Sequence, residues 1–213
     1  LAAMRPFADF PADTLKGLNG VFTDIDDTLT TEGAITPDAL QALGELKAAG
    51  LSVVAITGRP VGWSLPFATA WPVDAIVAEN GAVALQGGPA IRPAHKVDLQ
   101  KHYVQNAAVR RANFTRMQAV AARVLRDVPG ATLAQDSPGR ETDIAIDHSE
   151  FAQLSPESIA QVVSIMQSEG MNATVSSIHI NGWFGSHNKW EGGRWIARLL
   201  WGCDLQSELG RWL

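Results

Sequence analysis

The sequence predicts an α/β protein with a doubly wound core of parallel strands, into which a smaller α+β unit is inserted. Two observations lead to this prediction. Short apolar runs alternate with helical patterns over the first third of the chain, and this alternation is typical of βαβ units, which build a parallel sheet. The middle of the chain then carries helices and short strands in a different order, which indicates the inserted unit.

Three short strands are predicted in the first third of the chain, at residues 20–26, 51–56 and 75–78. A helix is predicted between the first two strands. Thr36 followed by Pro37 is typical of a helix start, and Gly50 is typical of the position just after a helix end. Polar residues follow each strand. Ligands bind at the carboxyl ends of the strands in open α/β sheets, so these polar residues are candidates for a site.

The remaining elements define two predicted domains. A Rossmann-like core comprises residues 1–84 and 186–213, including a helix at 189–201, and an α+β cap comprises residues 85–185. Around and within the cap we predict short strands at 82–85 and 90–92, a helix at 98–128, strands at 131–134 and 142–147, a helix at 155–170 and a strand at 174–181.

Composition excludes several classes of protein. The 213 residues carry 17 Lys and Arg against 22 Asp and Glu, a net charge of −5, which argues against a nucleic-acid partner. The single cysteine, Cys203, excludes a disulfide framework. No stretch approaches the roughly 18 apolar residues of a membrane span, and no signal peptide is visible. We therefore expect a cytoplasmic protein without a membrane partner, and we make no prediction of its oligomeric state.

Three carboxylates cluster at the end of the first predicted strand, in the run Thr23-Asp24-Ile25-Asp26-Asp27-Thr28. Such a cluster is repulsive unless a cation balances it. Side chains alternate along a strand, so Asp24 and Asp26 point to the same side if the strand extends that far. There they could share Mg²⁺, which prefers oxygen ligands. The alternative interpretation is a solvated acidic turn.

Two further segments carry groups that suit a phosphate. Thr57, Gly58 and Arg59 follow the second strand and offer a hydroxyl, a backbone N–H and a guanidinium, all of which donate to phosphate oxygens. Lys189 opens the helix after the predicted cap. Taken singly, the first segment could be an ordinary turn and the lysine an ordinary surface residue.

Taken in order, these segments resemble the first three motifs of the haloacid-dehalogenase-like phosphohydrolase superfamily. The segments that carry the resemblance are residues 22–29, 56–59 and 188–189. Residues 78–82 and the long insertion before Lys189 are similar to the branch of type IIB, which has a C2-type cap. That branch includes enzymes of the sucrose-phosphatase and mannosyl-3-phosphoglycerate-phosphatase type.

The resemblance implies a Mg²⁺-dependent hydrolase that acts on a small phosphorylated metabolite, with a sugar phosphate as the leading substrate class. It implies that Asp24 is the nucleophile and forms an aspartyl-phosphate. Asp26 would protonate the leaving alcohol and then deprotonate water. The Asp24 carboxylate and the Asp26 backbone carbonyl would hold Mg²⁺, while Thr57, Gly58 and Lys189 would bind the phosphate.

Four further residues are candidate substrate contacts. Arg59 and Asn80 lie at the ends of the second and third predicted strands. His179 and Asn181 share one polar face of the last cap strand with Ser177, and in the resembling enzymes this part of the cap faces the active site. The alternative for that face is a solvated outer surface.

The fourth motif of the superfamily, a Gly-Asp followed shortly by a second Asp that completes the metal site, has no acceptable counterpart. The sole Asp after Lys189 is Asp204, and neither a strand nor a second Asp accompanies it. We therefore expect that the third metal ligand is missing and that the chain stops short of its natural C-terminus. Two alternatives stay open: a phosphomutase that uses the same aspartyl-phosphate, and a non-catalytic phosphate-binding module.

Overall fold

The structure, a computed structural model, describes Asp9 and residues 12–87 and 99–213. The helices are α1 (Ala12–Leu15), α2 (Pro37–Ala48), α3 (Val61–Ala70), α4 (Ala107–Asp127), α5 (Pro156–Ser168) and α6 (Lys189–Trp201). The strands are β1 (Gly20–Thr23), β2 (Thr30–Thr31), β3 (Ala34–Ile35), β4 (Ser52–Ile56), β5 (Ala75–Ala78), β6 (Val83–Gln86), β7 (Gln100–Tyr103), β8 (Thr132–Leu133), β9 (Ile144–Asp147), β10 (Asn172–Val175) and β11 (His179–Trp183).

A five-stranded sheet with the order β1-β4-β5-β6-β7 forms the core and confirms the predicted α/β class. β1, β4 and β5 are parallel to one another. β6 pairs antiparallel with β5 on one side and with β7 on the other, so the sheet is mixed. Four of the five residues of β4 and all four of β5 are buried. Strands that are covered on both faces require such continuous apolar runs.

Two predicted helix starts are confirmed, and they determine where site residues lie. The Thr36 hydroxyl caps α2 by accepting a hydrogen bond from the Ala39 N–H at 3.4 Å. The Asn188 side chain caps α6 by accepting from the Glu191 N–H at 2.9 Å. The second cap makes Lys189 the first residue of its helix.

A second, four-stranded antiparallel sheet has the order β10-β11-β9-β8 and packs against α4 and α5. Its core is separate from that of the first sheet and includes Met117, Ile146, Met166 and Ile180. Gly182 in β11 is required by this packing, because a Cβ there would lie 2.7 Å from the Met166 sulfur.

The helix predicted at residues 98–128 begins later. Residues 100–103 form β7, which pairs with β6, and Asp98 lies outside the described residues, as does the predicted strand at 90–92. The helix starts at Ala107 because the Asn106 side chain accepts a hydrogen bond from the Val109 N–H at 3.0 Å. An N-cap of this kind satisfies the first free N–H groups of a helix.

The pairing of β6 and β7 also moves the expected domain boundary. Residue 85 lies inside β6, and the chain remains in the five-stranded sheet as far as Tyr103. We retain the division into a core and an inserted cap as a proposal, with β6 and β7 assigned to the core.

The single strand predicted at residues 174–181 is a hairpin of β10 and β11, so that prediction was wrong. Ser176 turns the chain: its N–H donates to the His179 carbonyl at 2.8 Å, and its hydroxyl accepts from the His179 N–H at 3.0 Å. His179 and Asn181 still share one face of β11, whereas Ser177 lies in the turn.

Among the described residues, the longest helices are too short or too polar to traverse a lipid bilayer.

Candidate active site

A cavity of about 580 Å³ is lined by residues from both sheets. Its wall includes nearly all of the site residues that the sequence predicted, namely Asp24, Asp26, Gly58, Arg59, Asn80, His179, Asn181 and Lys189. Thr57 is fully buried just behind this wall. The carboxyl ends of the parallel strands and the second sheet thus meet at one place.

Asp24 and Lys189 form an ion pair although 165 positions separate them, with Lys189 Nζ 2.7 Å from Asp24 Oδ2. The other oxygen of Asp24 accepts a hydrogen bond from the Ile25 N–H at 2.8 Å. The end of β1 positions the carboxylate, and the start of α6 positions the ammonium group. Both side chains are almost half exposed, so a ligand can reach them.

Asp26 is held by the loop after β4. Arg59 Nε donates to Asp26 Oδ1 at 2.9 Å, and the Thr57 hydroxyl lies 3.4 Å from Asp26 Oδ2. The Arg59 N–H in turn donates to the Thr57 hydroxyl at 2.9 Å. Arg59 therefore contacts a catalytic candidate, whereas the sequence analysis expected only a substrate contact.

Strand alternation does not align Asp24 and Asp26, because β1 ends at Thr23. Both aspartates lie in the turn that follows, and the turn brings both to the cavity. The turn after β1, and not the alternation of side chains along a strand, brings both carboxylates to the cavity.

The sequence analysis missed a small hairpin beside the acidic turn. β2 and β3 pair antiparallel, and Glu32 and Gly33 connect them with φ angles of 51° and 79°. Left-handed conformations at both positions are typical of the tightest β-turns. Both residues line the cavity. The available signal was the Glu-Gly pair between two short segments that contain β-branched residues, Thr30–Thr31 and Ala34–Ile35.

Asn80 follows β5 in a strained turn, where Glu79, Asn80 and Gly81 have φ angles of 50°, 56° and 103°. Gly81 is required, because a Cβ there would lie 2.2 Å from the Asn188 carbonyl oxygen. The buried Asn80 Nδ2 has no hydrogen-bond partner among the described residues. An unpaired amide is costly. Asn80 lines the cavity but its Nδ2 is enclosed, so a ligand oxygen would pair with this donor only after the side chain turns.

Glu79 faces away from the cavity and binds the chain that leads into the second sheet. Its carboxylate accepts hydrogen bonds from the N–H groups of Val61, Glu141 and Thr142 and from the Thr142 hydroxyl. Burial and the neighbouring Asp143 raise the pKa of Glu79 to about 7, and the hydrogen bonds oppose that rise.

Arg140 is the centre of a buried ionic network that the sequence analysis also missed. Its Nη1 lies 2.9 Å from both oxygens of Asp143 and donates to the Gly58 carbonyl at 3.2 Å. Its Nε and Nη2 each donate to Asp136 at 3.1 Å. Burial raises the pKa of Asp143, against the opposing effects of Arg140 and Asn181. The available signal was Asp143 directly before the apolar β9.

His179 and Asn181 line the cavity but already have partners. His179 Nε2 lies 2.9 Å from a Glu150 oxygen, and Asn181 Nδ2 donates to Asp143 at 3.2 Å. Both side chains are buried. They form part of the wall, and neither is a solvated outer surface as the alternative interpretation had it.

The oxygen donors of the acidic turn fit a hard cation such as Mg²⁺. They are the Asp24 carboxylate and the Asp26 carbonyl, and the latter accepts no hydrogen bond from the described residues. Over residues 12–87 and 99–213, no group of three or more His, Cys, Asp or Glu side chains is arranged to hold a metal ion.

A comparison with protein families finds one similarity, in the N-terminal part of the chain. Residues 21–114 match the family model described as haloacid dehalogenase-like hydrolase. The match covers 94 of the 213 residues, which is less than half of the chain. The matched segment contains the acidic turn, the loop after β4 and the strained turn after β5. This part of the chain is thus similar to hydrolases of that family, and a search of curated proteins gave no match.

Solved structures share its fold. Protein 0175 of Thermoplasma acidophilum has a TM-score of 0.65 at 13% identity, covering 85% of this chain and 71% of its own. The sucrose-phosphatase of Synechocystis, solved with sucrose and phosphate, has a TM-score of 0.58 at 13% identity over 86% and 71%. The subclass IIB sugar phosphatase BT4131 has a TM-score of 0.57 at 14% identity over 88% and 78%.

Proposed function

We propose that this protein is a phosphatase that hydrolyses small phosphomonoesters, with Asp24 as the nucleophile. The observation that carries the proposal is the contact between Asp24 and Lys189 at the mouth of a cavity shared by both sheets. An anionic nucleophile can approach an anionic phosphate only where positive charge offsets their repulsion. Lys189 supplies such a charge at 2.7 Å from the carboxylate.

In the proposed first step, an Asp24 oxygen attacks phosphorus and the bond between phosphorus and the ester oxygen breaks. Asp26 donates its proton to the departing alkoxide, and an aspartyl-phosphate remains on Asp24. In the second step, water attacks the same phosphorus while Asp26 takes one of its protons. The bond to Asp24 then breaks and inorganic phosphate leaves.

Asp26 is suited to this exchange of protons because two groups orient its carboxylate. Arg59 holds one oxygen at 2.9 Å, and the Thr57 hydroxyl lies 3.4 Å from the other. The Gly58 N–H, the Lys189 ammonium and the Asn80 amide would bind the oxygens of the phosphate and of its ester. Thr57 would act from behind the wall, by orienting Asp26.

Mg²⁺ is the cofactor that we propose, and when bound it would neutralise charge between the carboxylate and the phosphate. The Asp24 carboxylate and the Asp26 carbonyl would hold it. Support comes from the hard oxygen donors of the acidic turn, which are of the type that Mg²⁺ prefers.

A sugar phosphate is the substrate class that we propose. On the side of the second sheet, the cavity wall offers the hydroxyls of Thr174, Ser176 and Ser177 and the amide of Asn181. Neutral polar groups of this kind suit a polyhydroxylated leaving group, and the volume suits a small metabolite. The fold shared with the sucrose-phosphatase and the sugar phosphatase BT4131 adds support.

The test is a screen of sugar, nucleotide and cofactor phosphates with Mg²⁺ or with EDTA, on the wild type and on Asp24→Asn. We expect turnover of a sugar phosphate with Mg²⁺ and a loss of at least about a thousandfold in Asp24→Asn. Asp27→Asn is the matched control, because Asn readily adopts the left-handed conformation at φ 56°. It should retain turnover within about tenfold. Wild-type turnover in a folded Asp24→Asn protein would refute the assignment.

A further inference from the structure

We propose that Arg140 is a positioning residue that fixes the loop of residues 57–59 from the second sheet. This inference rests on the proposed function only for its consequence for phosphate binding. The contact between the buried Arg140 side chain and the loop of residues 57–59 can be tested without any measurement of turnover.

The contact that motivates the proposal crosses between the two sheets. Arg140 lies just before β9, and its Nη1 donates to the Gly58 carbonyl at 3.2 Å. Its side chain is only 2% exposed. Gly58 lies between Thr57 and Arg59 in the chain, and both of these residues contact Asp26, so the placement of its backbone affects both.

The charge of Arg140 does not by itself explain this contact. Both oxygens of Asp143 lie 2.9 Å from Nη1 and share one of its two N–H groups, since the other donates to Gly58. Asp136 accepts from Nε and Nη2 at 3.1 Å. These carboxylates already neutralise the guanidinium. The hydrogen bond to the Gly58 carbonyl is therefore not needed to balance the charge of Arg140. A planar guanidinium can donate to Asp143, Asp136 and Gly58 at once, and a lysine cannot.

The residues next to Arg140 hold the second loop of the site. The N–H groups of Glu141 and Thr142 donate to the Glu79 carboxylate at 3.0 and 2.6 Å. Glu79 directly precedes Asn80, the residue with the free amide on the cavity wall. One short segment thus binds both loops that would receive the phosphate.

The two loops are also bonded to each other, so a shift in one is transmitted to the other. The Asn80 N–H donates to the Thr57 carbonyl at 3.1 Å, and the Glu79 N–H donates to the Arg59 carbonyl at 3.0 Å. A Cβ at Gly58 would lie 3.2 Å from Asn80 Oδ1. These two hydrogen bonds and the close approach of Gly58 to Asn80 couple the two loops.

A close backbone approach supports the same segment. A Cβ on Gly62, in α3, would lie 2.8 Å from the Gly139 Cα. Only glycine permits this approach of the chain before Arg140 to the helix that follows the 57–59 loop. Two glycines, Arg140 and Glu79 together form a built junction between the sheets.

The first test is amide hydrogen exchange at residues 57–59 and 79–80, in the wild type and in three variants. Arg140→Met removes the donors, Arg140→Met with Asp143→Asn also removes the unpaired buried charge, and Arg140→Lys keeps a charge beside both carboxylates. We expect exchange at these amides to be at least about tenfold faster in every variant that folds, with β4 and β5 unchanged. Wild-type exchange in a folded variant, Arg140→Lys included, would overturn the proposal.

The matched control is Arg123→Met, which removes an arginine that is exposed on α4 and pairs with Glu169. It should leave exchange at residues 57–59 and 79–80 as in the wild type. Equal acceleration in Arg123→Met would mean that general loosening of the second sheet, and not the contact to Gly58, explains the effect.

The second test is the affinity for inorganic phosphate, with KM and kcat measured separately where turnover is found. Positioning predicts that phosphate binding weakens at least about tenfold and that KM rises more than kcat falls. A merely structural role predicts a lower Tm with the phosphate affinity of the folded protein unchanged, which would contradict the proposal. If the wild type neither binds inorganic phosphate nor hydrolyses a phosphomonoester, the proposed function fails. Hydrogen exchange then still decides the role of Arg140.

Discussion

The two walls of the cavity carry their charges in different ways. At the carboxyl end of the parallel strands, Asp24 lies in the turn after β1 and Lys189 at the start of α6, with 46% and 44% of their side chains exposed. On the side of the second sheet, Arg140 and Asp143 are paired with 2% and 0% exposed. The first wall offers charges that a ligand can reach, and the second encloses its charges within the protein.

This difference separates two tasks. An exposed ion pair contributes little to folding, about 0–1 kcal/mol, so its residues can change partners when a ligand binds. A buried ion pair is costly to break because the remaining charge has no water. We infer that the first wall serves the chemistry and that the second wall holds its shape.

Removing a charge from the buried pair of Arg140 and Asp143 should cause the largest loss of stability. Asp143→Ala leaves Arg140 with half of its carboxylate partners, and we expect a loss of about 3–5 kcal/mol in the free energy of unfolding, measured by urea denaturation. Asp24→Asn on the exposed wall should cost less than about 1 kcal/mol. Similar losses in the two variants would remove the distinction between the walls.

Lys189→Met should affect activity and spare stability. Without the ammonium group, the repulsion between Asp24 and a phosphate is no longer offset, so we expect kcat/KM to fall about a hundredfold. The urea midpoint should stay close to that of the wild type. Lys16→Met, which removes an exposed lysine that pairs with Asp13, is the control. A hundredfold loss there as well would point to a general effect of charge.

The dependence of stability on pH should distinguish two buried groups near the walls. Burial lowers the pKa of His187 from 6.5 to about 4, so the unfolded chain binds its proton more tightly than the folded protein. Stability from this group is present above pH 6.5 and is lost as the pH falls towards 4. Glu79 acts oppositely, because its raised pKa makes stability fall as the pH rises from 4.5 to about 7.

The test is His187→Phe, which keeps a ring beside Trp183. Between pH 6.5 and 5 the variant should gain stability relative to the wild type, by at most about 1.4 kcal/mol per pH unit. The measurement is urea denaturation at several pH values, reported as the difference between the two proteins. Parallel curves would show that His187 does not titrate on unfolding.

The smallest effect is expected for the exposed arginine of the second sheet's helix. Arg123 pairs with Glu169 and lies 3.5 Å from Asp127, with 40% of its side chain exposed. Arg123→Met should change the free energy of unfolding by about 0.5 kcal/mol or less. A loss as large as that of Asp143→Ala would mean that burial does not account for the difference in stability between the two ion pairs.

Local signals predicted much of the fold. Thr36, Asn188 and the apolar runs of β4 and β5 act over a few residues, and the structure confirms the elements that they indicate. The predictions were wrong where a partner outside the segment decides. Residues 100–103 are a strand because β6 lies beside them, and nothing within this segment competes strongly with a helix.

The same distinction applies to the candidate site. The sequence indicated Asp24, Asp26, Thr57 and Lys189, because polar residues at strand ends and a helix start are visible in one dimension. It did not indicate Arg140 or Glu79. The carboxylate partners of Arg140 are near in sequence, at Asp136 and Asp143, but its contact with the site is a hydrogen bond to Gly58, 82 positions away. The N–H groups that bind the Glu79 carboxylate begin 62 positions away, at Glu141.

The sequence by itself therefore determined the α/β class, the order of the main elements and the acidic turn after the first strand. The tertiary structure alone decided that Asp24 meets Lys189, that Arg59 holds Asp26, and that Arg140 reaches Gly58. The physical reason is range. Helix caps and apolar periodicity act between near neighbours, whereas ion pairs and hydrogen bonds between two sheets require both sheets to be folded and packed together.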